Sequence, residues 1–128
     1  MLSDYPAVPV LAVSDLGRAR AFYEGTLGLS PTTEVAEGVM YRAGGVDLLV
    51  YPSSYAGTNK ATAVSFAVPA EAFDAEIAEL RSRGVTFETY DMEGVTWTDG
   101  VAVMEGMKSA WFTDPDGNIL NVEAGDTV

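Results

Sequence analysis

The sequence predicts an α+β fold made of two copies of one strand–helix unit, and three observations predict it. The stretch VPVLAVSDLGRARAFYEGTLGL, from Val8 to Leu29, is answered by AVSFAVPAEAFDAEIAELRSRG, from Ala63 to Gly84. Each stretch reads as strand, turn, helix and glycine, and their strands end at Val13 and Val68, 55 residues apart. After each helix the apolar pattern changes from helical spacing back to alternation, so further strands follow.

In the first copy Pro9, Leu11 and Val13 alternate with Val8, Val10 and Ala12, the period of two expected of a strand. Asp15 is placed to cap the next helix, because its carboxylate can accept from the unpaired amides of the first turn. Leu16, Ala19, Phe22 and Tyr23 recur on one helical face, and Gly25 and Gly28 are expected to end the helix. Three short strands follow, Pro31 to Val35, Val39 to Ala43 and Val46 to Tyr51, with turns expected at Glu37 and Gly38 and at Gly44 and Gly45. PSSYAGTN, from Pro52 to Asn59, has linker composition. It divides a first module of about 6–52 from a second of about 61–125, with the linker at about 52–60.

In the second copy Val64, Phe66 and Val68 alternate with Ala63, Ser65 and Ala67, Pro69 opens a helix, and Phe73, Ile77 and Leu80 form its stripe. A strand is expected from Val85 to Thr89. The span from Glu88 to Met107 reads as irregular: it holds Glu88, Asp91, Glu93, Asp99 and Glu105, no Lys or Arg, and Trp97 in its middle. It is a solvated acidic loop or a flap that brings Trp97 over a ligand. Ser109 to Thr113 resumes as a strand, DPDGN turns the chain, and Ile119 to Glu123 is the last strand.

The βαβββ repeat, VSDLGRARAFYEGTLGL early and TDPDGNILNVEA late resemble the vicinal oxygen chelate superfamily, which includes glyoxalase I, extradiol dioxygenases and the bleomycin resistance proteins. The resemblance spans the chain as one domain and implies two modules forming a cupped, mostly antiparallel sheet with one helix per module outside. It also implies where a metal would sit in the metal-dependent members: on the first residue of each module's opening strand and on one residue of its last strand, mostly His and Glu. The matching positions here are Val8, Ala63, Leu49 and Asn121. None offers an anionic or imidazole ligand. The expectation is therefore a member with no metal and no other cofactor, similar to the bleomycin resistance proteins.

Strand alternation puts Asp47 and Tyr51 on the face of Leu49, and Ile119 and Glu123 on the face of Asn121. Asp47 and Glu123 could hold Mg²⁺ or act as an acid and base pair; otherwise Asp47 belongs to the Gly-Gly turn and Glu123 to a solvated strand end. On the strand from Ser109, Ala110 and Phe112 should face the helices and leave Ser109, Trp111 and Thr113 on the cup side. A tryptophan there, beside the small Ala63, Ser65 and Ala67, lines a trough that can stack a planar or cationic group. It could equally plug the barrel or sit at a dimer contact.

With 128 residues, 48% of them hydrophobic, one domain with a sizeable core is expected. There is no run long enough to span a membrane and no leader pattern, so a cytoplasmic protein is expected. Zero cysteines and zero histidines remove disulfides, thiolate chemistry and the commonest general base and metal ligand. Seven basic against nineteen acidic residues, a net charge of −12, repel nucleic acid and anionic membranes.

The resulting expectation is a metal-free protein that binds, and sequesters, a cationic or aromatic small molecule. Trp111, Trp97, Tyr51 and Leu49 would supply stacking and apolar contact, Asp47, Asn121 and Glu123 polar contact, and Val8, Ala63 and Ser65 the remaining lining. Open sheet edges make a homodimer the expected assembly. The alternatives are a glyoxalase- or dioxygenase-like enzyme whose metal site is rebuilt on Asp47 and Glu123, and an assembly protein without a small ligand.

Overall fold

A computed structural model describes residues 1–124, and the expected end of the second module at about 125 lies outside them. The chain forms an α+β fold with two compact units, Met1–Thr58 and a second beginning at Asn59.

The first unit is a four-stranded sheet with one helix. Its elements are β1 (Val10–Val13), α1 (Leu16–Arg20), β2 (Ser30–Val35), β3 (Gly38–Ala43) and β4 (Val46–Pro52), in the sheet order β1-β4-β3-β2. β1 and β4 are parallel and the other pairs antiparallel. Asp15 caps α1 as expected, its Oδ1 accepting the Arg18 amide at 3.0 Å. Gly25 does not end the helix. The chain continues in π-helical form through Ala21–Thr26, with the Leu27 amide reaching back to the Phe22 carbonyl, and the stop is Gly28 at φ 74°.

The core of this unit lies between helix and sheet. Ala19 and Tyr23 meet Leu11, Val13, Val39, Tyr41, Leu48 and Val50, all nearly inaccessible to solvent. Their alternation leaves Asp47, Leu49 and Tyr51 on the opposite, helix-free face, as expected. Two local expectations fail. β1 begins at Val10, so Val8 precedes it; and the β2–β3 turn is Ala36 and Glu37, with Gly38 inside β3. Gly38 is needed there because a Cβ would run into the Val50 carbonyl oxygen and stand 2.9 Å from Tyr51 Cα.

The second unit contains β5 (Thr62–Val68), α2 (Ala70–Ser82), β6 (Thr96–Thr98), β7 (Val101–Met104), β8 (Met107–Thr113) and β9 (Ile119–Ala124), in the order β5-β9-β8-β7-β6. Phe73 and Ile77 of α2 are buried, and on the same side of the sheet lie Phe112, Leu120 and Val122. Phe87 closes this core edge-on against Phe112, with ring centres 5.9 Å apart. The expected strand from Val85 to Thr89 does not form; only Glu88 bridges to Trp111.

Nor is the span from Glu88 to Met107 irregular throughout. Two tight hairpin turns, Asp99-Gly100 and Glu105-Gly106, have positive φ at both residues and fold it into β6 and β7. Such turns twist in the sense of the strands they join, which is why Asp-Gly favours them. Arg81 at the end of α2 donates to the Asp99 carbonyl and lies 5.4 Å from the centre of the Phe87 ring, tying the first hairpin to the helix. Among the described residues no helix is long and apolar enough to cross a membrane.

Candidate functional site

The helix-free face of the second unit gathers most of the residues singled out by sequence. Register places Trp111 opposite Asn121, Ser65 opposite Asn121, Ser109 opposite Glu123 and Trp97 opposite Ala102, so these side chains share one face. Trp97 and Trp111 are in ring contact, with centroids 6.0 Å apart.

Asn121 is 4% exposed and its amide is committed on both sides. Oδ1 accepts the Ser65 hydroxyl at 2.5 Å, while Nδ2 donates to Ser109 Oγ at 2.8 Å and, less directly, to the Ala110 carbonyl at 3.3 Å. This is a satisfied polar knot under the aromatic surface. Its oxygen already accepts one hydroxyl and both of its amide protons have acceptors, so Asn121 is a poor fit for a metal ligand. Val8, Leu49 and Ala63 carry no donor atom at all, and among the described residues no three His, Cys, Asp or Glu side chains gather closely enough to share an ion.

Ala63 occupies a position that alternation alone does not give. A bulge between Thr62 and Val64 leaves it without a cross-strand partner, and Thr62 pairs with Ile119 instead. Thr62 therefore takes the place expected for Ala63: its Oγ1 accepts the Trp111 indole N–H at 3.2 Å. Tyr90 packs edge-on against Trp111, with centroids 5.9 Å apart. Lys60, Ala61, Thr62, Tyr90, Met92, Trp111 and Ile119 bound an open hollow of about 310 Å³. Burial, and secondarily the Glu88 carboxylate, hold the Tyr90 phenol above its usual range, so Tyr90 is a hydrogen-bond donor at neutral pH.

Val8, Asp47, Leu49 and Tyr51 belong to the first unit. There Asp47 is held by Arg42 across the β3–β4 hairpin, with Nε to Oδ1 at 2.9 Å, so the turn reading accounts for it. Glu123 is half-buried on the face of Trp111, and it does not line the hollow. Sequence reasoning missed Thr62, Tyr90, Met92 and Lys60. A half-buried indole needs an acceptor, which was a signal that some such residue exists, but nothing local pointed to Thr62.

The family model of the Glyoxalase/Bleomycin resistance protein/Dioxygenase superfamily matches residues 6–122, and the chain belongs to that superfamily. No curated protein matches the sequence. Solved structures share the fold at low identity. A glyoxalase/bleomycin resistance protein/dioxygenase from Alicyclobacillus acidocaldarius is similar with TM-score 0.72 and 16% identity, over 96% of this chain and 92% of that one. The fosfomycin resistance protein FosX from Mesorhizobium loti is similar with TM-score 0.68 and 14% identity, over 97% and 94%. An integron cassette protein from the mobile metagenome of Halifax Harbour Sewage Outfall has TM-score 0.68 and 19% identity, over 94% and 98%.

Proposed function

We propose that the protein binds a planar aromatic small molecule in the hollow beside Trp111 and sequesters it without a metal. One observation carries this reading: Trp111, Tyr90 and Met92 converge on a hollow of about 310 Å³ whose indole is oriented by Thr62. That volume lies at the lower end of small-molecule sites, and apolar walls with few polar groups are their usual composition. The superfamily supports a binding role in so far as its description includes bleomycin resistance proteins. The residues at the family's metal positions favour binding over metal-assisted turnover, because three are apolar and Asn121 is spoken for.

A cationic ligand has less support than an aromatic one, since among the described residues no carboxylate lines the hollow. The test is titration of wild type and Trp111→Ala with a panel of naphthalene and quinoline compounds, followed by calorimetry. Stacking on such a ring is worth about 1 to 2 kcal/mol, so Trp111→Ala should weaken any hit about tenfold. Equal affinity in both proteins would remove the hollow as the site. Calorimetric titration with Zn²⁺, Mn²⁺, Ni²⁺ and Fe²⁺ should show no binding tighter than about micromolar.

A further inference from the structure

The chain is strongly acidic, and its basic side chains are almost all engaged. Arg20 pairs with Glu24 and Glu34, Arg42 with Asp47, Arg83 with Glu79 and Lys108 with Asp74. Arg18 donates to Ser14 and Arg81 to the Asp99 carbonyl. Lys60 is the exception: among the described residues its ammonium has neither an ion pair nor a hydrogen bond, and it stands on the wall of the Trp111 hollow.

The other polar groups of that wall are donors as well. Thr62 Oγ1 accepts the indole N–H, which leaves its own proton to point elsewhere, and the Tyr90 phenol is protonated at neutral pH. Met92, Trp111 and Ile119 supply apolar surface, and among the described residues no acidic side chain lines the hollow. Donors on an apolar wall select a flat ligand that brings its own acceptor.

Resting on the binding role proposed above, we infer that the ligand is an anionic aromatic compound, such as an aryl carboxylate, whose ring stacks at Trp111 and whose anion is taken by Lys60 and the Thr62 hydroxyl. The net charge of −12 repels anions at long range, but at about 0.15 M salt the screening length is about 8 Å, and the contact at Lys60 decides the local preference.

The experiment compares three probes with one ring system, naphthoate, naphthamide and naphthyl-trimethylammonium, on wild type and Lys60→Gln at about 0.15 M salt. Naphthoate should bind wild type about fivefold more tightly than naphthamide, the size expected of one exposed ion pair, and Lys60→Gln should erase that margin. Lys60 is exposed, so the variant should fold normally, which circular dichroism verifies. Binding of naphthamide or the cationic probe as tight as that of naphthoate overturns the anion preference and leaves the hollow as a binding site. Failure of all three to bind overturns the anion preference and the binding role together.

Discussion

Thr62 Oγ1 accepts the indole N–H of Trp111 at 3.2 Å, a contact between residues 49 positions apart that sets which way the ring faces. It exists because the bulge at Ala63 turns Thr62 toward β8. Thr62→Val keeps the shape and removes the acceptor. Both groups are partly open to water, so stability should fall by no more than about 1 kcal/mol, while affinity for a stacking ligand drops a few-fold as the ring loses its orientation. Urea denaturation and calorimetry separate the two effects.

Asn121 links the buried Ser109 to the exposed Ser65. Asn121→Leu is close in size but strands the buried Ser109 hydroxyl, while the exposed Ser65 can turn to water, and the cost of a buried unpaired group is about 1 to 3 kcal/mol. A midpoint shift of that size in urea is expected, and the triple variant with Ser65→Ala and Ser109→Ala should recover much of it. Absence of recovery would mean that packing, not pairing, is what Asn121 provides.

Gly38 faces the β4 backbone at Val50 and Tyr51. Gly38→Ala must push β3 and β4 apart in the centre of the first sheet, and overpacking of this kind costs about 3 kcal/mol or more when backbone has to move. A large drop in melting temperature is expected.

On the π-helical turn, Glu24 accepts from Arg20 Nε and from the Tyr41 hydroxyl, each at 2.7 Å. The Arg20 hydrogen bond first, and the Tyr41 hydroxyl second, hold the Glu24 carboxyl below the usual carboxylate range. A depressed folded pKa adds stability that is present above the unfolded value, near 4.3, and is lost as pH falls toward and through the folded one. Glu24→Gln should therefore be less stable than wild type at neutral pH, with the difference narrowing below about pH 4. Burial first, and the Glu24 contact second, hold the Tyr41 phenol above its usual range, so that group adds stability lost only in strong alkali. Melting curves across pH test both signs.

Val10, on strand β1, is more than half exposed and lies beside Leu49 on the helix-free face of the first sheet. We propose that a second copy of the chain covers this surface. Light scattering at micromolar concentration should return twice the mass of 13.5 kDa, and Val10→Lys should shift it toward the monomer.

Local chemistry determined much of the architecture. Asp15 could be assigned as a cap because capping involves only the next three residues, and the faces of β4, β8 and β9 followed from a period of two that no bulge interrupts in those strands. Asp99-Gly100 carries the composition of a hairpin turn, which the reading of this acidic span as irregular passed over. Pairing between distant segments decided the rest. The bulge at Ala63 depends on how β5 meets β9, Val85 to Thr89 has strand-like residues but bonds to β8 only at Glu88, and Gly38 matters through a backbone 12 residues away in sequence. Trp111 could be put on a face by parity; that Lys60, Thr62, Tyr90 and Met92 surround it was decided by tertiary structure, since residues from separate segments meet only when the chain has closed on itself.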